Sequence, residues 1–526
     1  MHRLYGSRRH GVTLGLLSTF AGLAVAELVV GLVRGASSPV VPVGQEVIDV
    51  VPPAVKDWAI DWFGTADKAV LIIGTLLSLA VIGSLVGTLA VRGNRAAAYA
   101  VSSVVGVIGV WAVTMRPAPT FGKLLPPIIG TAVSIGVIWW LAPRGADVTD
   151  EADVTGVAGP VERRSFLRGA GSVGVLALAA GGVGRLLGQR FDVADERAAL
   201  DLPAADDTVP PLASVPTDAS DATDFGIEGV ESWVVPTRDF YRIDTALAVP
   251  QVPRDSWRLR VHGMVANELE LTFADLLARD QVERYITLSC VSNEVGGGLI
   301  GNALWQGVLL RPLLEEAGLD PAATQVVSRS IDGWSCGSPT SAIMDGRDAM
   351  LAIAMNGEPL PAEHGYPVRL VVPGLYGYVS ATKWVTEIEL TTWEGFDGYW
   401  IPRGWSKEGP IKTMARIDRP RSGREESPSS AGAIDIAGLA WAVHRGISRV
   451  EVSIDGGEWR ECELAGVPSD DTWRQWRYRW TDASPGRHAV RARAYDGDGT
   501  VQPSEPKPPA PDGAQGYHRV EFDVEG

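Results

Sequence analysis

Cys290 lies in a segment of the chain that suits chemistry. It directly follows the apolar, β-prone run Ile286-Thr287-Leu288-Ser289, and a stretch with Gly296 and Gly297 comes after it. Because the chain has only three cysteines, a disulfide scaffold is not expected. A single thiol at a strand end, beside a loop that a ligand can approach closely, suits a soft-metal ligand or a nucleophile. A buried cysteine that acts as a small hydrophobe is the other interpretation.

Three other segments carry groups that bind anions. They contain Arg242 with Asp244, His364 with Arg369, and Lys383 at the end of a loop with Gly374 and Gly377. Arginine, lysine and the backbone N–H groups of glycine-containing loops are common protein donors to phosphate. Taken singly, each arginine is equally explained by a surface ion pair, and His364 by a turn histidine bonded to backbone.

In order and spacing, these segments resemble the sulfite oxidase family of molybdopterin enzymes. The resemblance covers about residues 236–526 and includes the sequence Asn-Gly-Glu-Pro-Leu-Pro at 356–361. In that family one cysteine thiolate binds molybdenum, and Cys290 matches it, followed by the family's asparagine at Asn293. The resemblance implies that Cys290 is catalytic and the metal ligand. It also implies that molybdopterin contacts Arg242, Asp244, Cys290, His364, Arg369, Ala381, Thr382 and Lys383.

Two departures from the family pattern bear on the substrate. Animal and plant sulfite oxidases follow the ligand cysteine with an arginine pair that attracts sulfite, whereas this chain has Glu294 and Val295 there. The family's active-site tyrosine has only one candidate counterpart, Tyr399. The overall pattern is similar to the membrane-anchored branch from bacteria and archaea, and no haem b domain is expected.

The remaining thiols and two lysines allow simpler roles. Cys336 is not expected to be a second metal ligand, because the family's site uses one protein thiolate, and Cys462 is predicted to be a core residue. Lys407 and Lys412 could attract an anionic substrate, although exposed lysines usually only aid solubility.

Composition excludes one class of partner and indicates a membrane region. The 526 residues carry a formal net charge of −16 with a pI of about 5.0, so a basic nucleic-acid-binding surface is not expected. The first third of the chain is apolar. Four runs approach the ~20 residues that a membrane-spanning helix needs. They lie at residues 11–33, 69–91, 97–115 and 124–141.

Basic residues predict the orientation of these spans. Arg3, Arg8 and Arg9 precede the first run, and Arg92 and Arg95 follow the second, which places the N-terminus in the cytoplasm. The four runs contain no histidine and therefore no bis-histidine haem ligands. No haem is expected in the chain.

A fifth apolar run follows paired arginines. Arg163-Arg164-Ser165-Phe166-Leu167, followed by an apolar stretch at 171–187, resembles a twin-arginine export signal that would remain as an anchor. An ordinary basic flank of a fifth helix is the alternative. Both interpretations place the chain beyond about residue 190 outside the cytoplasm.

The chain is predicted to have five parts. Residues 1–160 form the four-span region, 161–190 the signal and fifth helix, 191–235 an acidic, Pro- and Ala-rich linker, 236–424 an α+β molybdopterin domain, and 425–526 an immunoglobulin-like β-sandwich of the dimerisation type. In the molybdopterin domain, Thr272 is expected to cap a short helix and Gly318 to end another. Residues 368–374 are expected to form a strand. Residues 447–464 are expected to form a hairpin around Asp455-Gly456-Gly457.

These expectations together predict a membrane-anchored molybdopterin-dependent oxidoreductase. It would act outside the cytoplasm, move an oxygen atom to or from a small substrate, and exchange electrons with a carrier such as a cytochrome or copper protein. A homodimer through the C-terminal domain is also open. The alternatives are an S-oxide reductase of the same family and a cofactor-free cell-surface binding protein. A cysteine hydrolase with Cys290 as nucleophile and His364 as base is a further alternative.

Overall fold

The computed structural model describes residues 3–52, 55, 58, 62–63, 66–116, 119–142, 160–209, 223–428, 432–481 and 483–525. The chain divides into two compact units. The first comprises Met1–Val193 with Ala246–Gln251, and the second comprises Ala194–Thr245 with Val252–Gly526.

The first unit is helical. Its helices are α1 (Arg3–Leu32), α2 (Val40–Val50), α3 (Asp67–Val91), α4 (Arg95–Thr114), α5 (Phe121–Leu141) and α6 (Pro160–Gly188). Among the described residues, five segments are long and apolar enough to cross a membrane: Arg9–Leu32, Lys68–Val91, Arg95–Thr114, Phe121–Leu141 and Phe166–Ala198. The five predicted apolar helices are therefore present. The short helix α2 was not anticipated.

Glycine contacts allow α1 to pack closely against its neighbours α3, α5 and α6. A Cβ on Gly15 would lie 1.8 Å from the carbonyl oxygen of Gly83 on α3, and one on Gly31 would lie 2.2 Å from that of Gly184 on α6. Small residues at such crossings let helix backbones approach without side chains between them. The paired Arg163 and Arg164 fall in the first turns of α6, but their side chains lie outside the described part of the chain.

Two sheets build the first part of the second unit. Its early elements are α7 (Ala194–Ala198), α8 (Phe273–Leu277), α9 (Leu310–Ala317), α10 (Thr340–Met344) and α11 (Gly377–Ser380), with strands β1 (Arg258–Gly263), β2 (Leu269–Thr272), β3 (Val282–Ser289), β4 (Ile300–Leu309), β5 (Gln325–Ser330), β6 (Ser335–Pro339), β7 (Met350–Met355), β8 (Glu358–Pro359), β9 (Arg369–Val371) and β10 (Val385–Thr391). One sheet has the order β2-β1-β10-β5-β6, and the other has the order β3-β4-β7-β8 with β9 beside β7.

Local sequence signals explain the ends of several elements. Thr272 and Asp275 form a reciprocal capping box at the start of α8, and Gly318 takes the left-handed conformation after α9, as predicted. The strand predicted over 368–374 is shorter, since β9 covers only Arg369–Val371. Pro373 has no N–H to donate, and Gly374 turns the chain with φ +82°.

Two further sheets face each other across a common core at the C-terminal end. Their strands are β11 (Met414–Arg419), β12 (Glu425–Glu426), β13 (Ile434–Trp441), β14 (Ile447–Ile454), β15 (Arg460–Glu461), β16 (Glu463–Leu464), β17 (Arg474–Trp480), β18 (Gly486–Asp496) and β19 (His518–Val524). The orders are β11-β13-β17-β16 and β12-β19-β18-β14-β15. Buried side chains from both sheets, including Val452, Trp476 and Phe522, form one hydrophobic cluster.

The predicted hairpin is only partly correct. Asp455 and Gly456 both have positive φ, +52° and +75°, as a type I′ turn requires, and β14 pairs with β15. The chain then leaves this sheet, because β16 pairs with β17 of the opposite sheet. A period-two pattern cannot distinguish a strand that stays in its sheet from one that crosses to the next.

The segment at 223–235, which was predicted to be part of a linker, packs within the second unit. Within the predicted linker, residues 210–222 lie outside the described residues, whereas Trp233 is buried. Trp233 and Trp473 each donate Nε1–H to the other's carbonyl oxygen, at 3.2 and 2.8 Å. Val235 N–H donates to Asn302 O in β4 at 2.9 Å.

Candidate functional site

Strand β3 ends at Ser289 and delivers Cys290 to a closed loop, residues 290–299, here called the thiol loop. Cys290 N–H donates to Leu299 O at 2.9 Å, and Leu299 N–H donates to the side-chain oxygen of Asn293 at 2.8 Å. Asn293 is buried, and its own N–H donates to Cys290 O at 3.1 Å. The asparagine thus fixes the loop backbone that carries the thiol.

Strand β11 supports the other side of the thiol loop. The buried guanidinium of Arg416 donates to Gly297 O at 3.1 Å, and its Nε donates to Asp418 at 2.6 Å. Arg416 also pairs with Glu231, in the segment that precedes β1. The thiol loop is therefore held by the Arg416 guanidinium, whose positive charge is balanced by the carboxylates of Asp418 and Glu231.

One carboxylate organises two of the predicted cations. Oδ2 of Asp244 accepts from Arg242 Nε at 2.9 Å and from Lys383 Nζ at 3.1 Å. Lys383 Nζ also donates to Glu363 O at 2.9 Å. Burial lowers the pKa of Lys383 to about 8, against the opposing effect of Asp244. Two of the three N–H groups of Lys383 Nζ are thus used by Asp244 and Glu363, and the third has no acceptor among the described residues.

His364 and Arg369 carry two buried nitrogens that lack partners. Among the described residues, neither His364 Nδ1 nor Arg369 Nε has a hydrogen-bond acceptor or donor. Burial, reinforced by Arg369 and then Lys383, lowers the pKa of His364 to about 3, so the ring is neutral. Arg369 donates to His364 O at 3.2 Å and lies over the ring of Trp305. Of the seven such atoms among the described residues, these two belong to adjacent residues, and Arg369 lines the cleft described below.

Trp384 holds the backbone beside Lys383 in an unusual conformation. Its φ is +50°, which is costly for a bulky side chain. The buried ring offsets that cost, with Nε1–H donating to Ala362 O at 2.8 Å. The residue before it, Lys383, pairs with Asp244.

These elements enclose a cleft with an empty volume of about 900 Å³, counted with the open space at its mouth. Five predicted site residues line it: Asp244, Cys290, Arg369, Ala381 and Lys383. Arg242 and His364 lie just behind, bonded to Asp244 and Arg369 respectively. The structure thus brings together seven of the residues singled out from sequence.

Two predicted site residues point elsewhere. The hydroxyl of Thr382 bonds to Ser328 Oγ at 2.6 Å and Cys336 Sγ at 3.3 Å in the core. Tyr399 is not among the residues that line the cleft; Arg403 lies 3.7 Å from its ring centre, and its neighbour Trp400 lines the cleft instead.

Sequence reasoning missed Tyr241 and Asp332, which both line the cleft. Burial, and then the proximity of Cys290, raises the pKa of Tyr241 far above its usual value, so its hydroxyl stays protonated. Burial also raises the pKa of Asp332, whose carboxylate accepts from Trp334 N–H at 3.1 Å. Tyr241 could have been found, because it sits beside Arg242 in the same motif. Asp332 had no local signal.

The outer walls of the cleft are aromatic. Tyr378, Trp334, Trp400 and Trp405 line it, with ring centres 5.9 Å apart for Tyr378 and Trp405 and 6.4 Å apart for Trp400 and Trp405. These rings present an apolar surface to anything that enters.

The two lysines considered for attracting an anion are already engaged. Lys407 Nζ pairs with Asp397 at 2.8 Å and also donates to Trp393 O and Phe396 O. Lys412 Nζ pairs with Asp512 at 2.9 Å and donates to Gly513 O. Neither ammonium group lines the cleft.

All three thiols are free. Burial raises the pKa of both Cys336, to about 11, and Cys290, so the pKa does not separate them; Cys336 differs because it is buried in the core and does not line the cleft. Cys462 belongs to the C-terminal core, as predicted. Cys290 is the one thiol that opens to the cleft.

Comparisons with known proteins agree with this geometry. A family model described as the oxidoreductase molybdopterin binding domain matches residues 246–400, which include Cys290 and Lys383. Mitochondrial sulfite oxidase from Rattus norvegicus is 29% identical over 326 residues, covering 53% of this chain and 59% of that protein. An uncharacterized oxidoreductase, YuiH, from Bacillus subtilis is 35% identical over 153 residues, covering 29% of this chain and 74% of that protein.

A solved structure is also similar. The crystal structure of the sulfane dehydrogenase SoxCD from Paracoccus pantotrophus matches with a TM-score of 0.47 and 26% identity, over 56% of this chain and 85% of that one. The chain spans about three fifths of the length of the rat relative that it matches.

Proposed function

The chain belongs to the sulfite oxidase family of molybdopterin oxidoreductases, and from that premise we propose that its cleft holds a molybdenum–molybdopterin cofactor with Cys290 as the metal's thiolate ligand. The observation that carries the proposal is the partnerless buried Nε of Arg369, which lines the cleft, together with the partnerless buried Nδ1 of the adjacent His364. A large anionic cofactor with ring nitrogens and a phosphate would supply partners for both.

The donor set also fits such a group chemically. Lys383 and Arg242 bring two positive charges that share one carboxylate, and Arg369 brings a third. Phosphate is a good partner for such a cluster, because charge-assisted hydrogen bonds from arginine and lysine are the strong ones. We propose that Arg242, Asp244, Cys290, His364, Arg369, Ala381, Thr382 and Lys383 bind the cofactor, with Thr382 acting through its backbone because its hydroxyl is engaged in the core.

When bound, a molybdenum centre supplies two-electron oxygen-atom transfer. Around it, this chain's residues have defined tasks. Asn293 and Arg416 hold the thiol loop in place. Tyr241 lines the cleft with a protonated hydroxyl, which would be available there as a hydrogen-bond donor to the cofactor or the substrate. The aromatic walls limit access of water. Tyr399, the predicted counterpart of the family's active-site tyrosine, does not line the cleft, although the next residue, Trp400, does.

We propose that the substrate is a small molecule other than sulfite. Glu294 follows Cys290 closely where an anion-attracting arginine would be needed, and Lys407 and Lys412 are paired with acids. The aromatic walls formed by Trp334, Trp400 and Trp405 favour an uncharged molecule with an apolar group. This observation supports S-oxide reduction as the second candidate function.

The helical unit supports a proposed location. We propose that the five apolar helices anchor the protein in the cell membrane, with the N-terminus in the cytoplasm and the catalytic unit outside. Electrons would be exchanged singly with an external carrier such as a cytochrome or copper protein. The two C-terminal sheets would be an immunoglobulin-like sandwich that is able to form a homodimer.

Metal analysis tests the central proposal. The full-length protein would be purified in detergent from a host that makes the cofactor, and molybdenum would be measured per chain. About one atom per chain is expected. A chain free of molybdenum and pterin would contradict the proposal and favour the cell-surface binding protein.

A further inference from the structure

The helical unit contains a cavity that anchoring alone does not require. Its empty volume is about 1260 Å³, counted with the open space at its mouth, and helices α1 to α5 all contribute to its lining. The surrounding helices are held by tight contacts, since a Cβ on Gly22 would lie 2.6 Å from Gly130 O and one on Gly106 would lie 2.4 Å from Thr131 Oγ1. Helices α1 and α4 therefore both pack closely against α5 along one side of the cavity.

The lining determines what the cavity can accept. None of the described residues that line it is charged or a histidine. A charged lipid headgroup would find no partner inside, and burying an unpaired charge is costly. The occupant must therefore be uncharged and largely apolar.

Hydroxyl groups provide the polar part of the lining. Thr75, Ser78 and Thr131 donate to carbonyl oxygens of their own helices. For Thr19, Ser102 and Ser134, on α1, α4 and α5, the described structure shows no hydrogen-bond partner. Ser102 is 8% exposed as a whole residue and lines the cavity, so its hydroxyl is open to a ligand there rather than to bulk solvent.

These observations point to a specific class of ligand. We propose that the cavity binds a membrane quinone, whose ring carbonyls accept hydrogen bonds from hydroxyls that line the cavity, among them those of Ser102, Thr19 and Ser134. A quinone is uncharged, has a flat ring with carbonyl acceptors, and carries an apolar tail that suits the open side of the cavity. A hydrocarbon chain fits the volume equally well, but it leaves the hydroxyls unsatisfied.

The inference rests on the proposed membrane insertion, which is tested first. Membranes from expressing cells are washed with alkaline carbonate. Release of the protein by that wash would refute the anchoring proposal itself. Retention allows the binding test to address the cavity alone.

Binding is then measured with the detergent-purified full-length protein. The probes are decylubiquinone, a short-chain menaquinone, and decylbenzene, which has a ring and tail but no carbonyl. We expect saturable binding of one of the quinones at one per chain and at least about 10-fold weaker binding of decylbenzene, because it lacks the acceptors. Equal binding of decylbenzene would overturn the proposal in favour of an acyl chain.

Variants of α4 provide the matched comparison. Ser102→Ala removes one neutral hydrogen bond and should weaken quinone binding about 2- to 10-fold. Ser103→Ala, at an exposed position on the same helix, should leave binding unchanged. Ser102→Leu fills the cavity and should abolish binding, and the alanine variant keeps the test informative if the leucine variant misassembles. Equal affinities of the two alanine variants would contradict the inference.

Discussion

The imidazole of His518 occupies the space that a side chain at residue 296 would need. A Cβ on Gly296 would lie 2.3 Å from His518 Nε2, and Gly296 itself has φ +81°. His518 Nδ1 accepts from Ile417 N–H at 2.9 Å. The thiol loop is thus fitted against β11 and β19, so the C-terminal sheets help to position Cys290.

Replacing Gly296 should disturb the site from a distance. Gly296→Ala meets both the His518 ring and an unfavourable φ, so we expect about 1–3 kcal/mol of destabilisation and reduced catalytic activity. Gly298→Ala is the control, because a Cβ there would meet no atom within 4 Å. Denaturant unfolding and turnover of both variants test this. Wild-type stability and turnover of Gly296→Ala would show that the thiol loop can rearrange around the added methyl group without affecting the site.

His518 should also make stability depend on pH. Burial lowers its pKa from 6.5, while Asp418 opposes and Arg416 assists. The neutral ring therefore contributes stability that is fully present above pH 6.5 and is lost as the pH falls toward the lowered pKa, because the unfolded chain binds the proton there.

The comparison uses His518→Asn, whose side-chain oxygen can replace Nδ1 as the acceptor for Ile417. Between pH 7.5 and 5.5, its free energy of unfolding should fall less than that of the wild type. An identical fall in both proteins would mean that other groups account for the acid sensitivity.

Arg416 should be among the most sensitive charged residues of the second unit. Arg416→Ala leaves Asp418 buried without its partner and frees Gly297, so we expect a loss of about 3–5 kcal/mol. Arg477→Ala breaks an exposed pair with Glu463 and should cost at most about 1 kcal/mol. If Arg477→Ala proved more destabilising than Arg416→Ala, Arg416 would not have the proposed role of holding the thiol loop.

Mutation of Cys290 and mutation of Cys336 should have very different effects on activity. Mutation of groups that only support a metal ligand costs about 10- to 100-fold, so loss of the ligand in Cys290→Ser should lower turnover at least about 100-fold. Pterin content should remain, since the other cofactor contacts stay in place. Cys336→Ser should keep most activity. Pterin fluorescence and a dye-coupled assay measure both, and an active Cys290→Ser enzyme would exclude the proposed ligand.

The aromatic walls should set substrate preference. Trp405→Ala is expected to lower kcat/KM for an aryl sulfoxide about 10-fold, while activity toward sulfite, if any, changes little. Trp459→Ala, in the C-terminal sheets, serves as the control because Trp459 does not line the cleft. A uniform fall for both substrates would indicate a structural rather than a selective role.

Local signals in the sequence predicted where helices and turns lie better than they predicted which strands pair and which distant side chains meet. The apolar helices, the Thr272 cap, Gly318 and the Asp455-Gly456 turn were all readable, because each depends on neighbouring residues. The pairing of β16 with the opposite sheet depends on tertiary packing and could not be predicted from the sequence. At the site, Lys383 was predicted as an anion donor, but its partner Asp244 lies 139 residues earlier. Asp332 likewise lines the cleft only because residues that are far apart in the sequence fold together there.

The mutual hydrogen bonds of Trp233 and Trp473 have a practical consequence for how the second unit can be divided. The two residues are 240 positions apart, yet each satisfies the other's indole, and both rings are buried. The segment entering the unit and its final sheets are therefore expected to unfold cooperatively. A fragment that starts after residue 235, or one that stops before β17, would expose an indole ring and orphan its N–H group. Expression of the catalytic unit alone should begin upstream of Trp233 and retain the C-terminal strands.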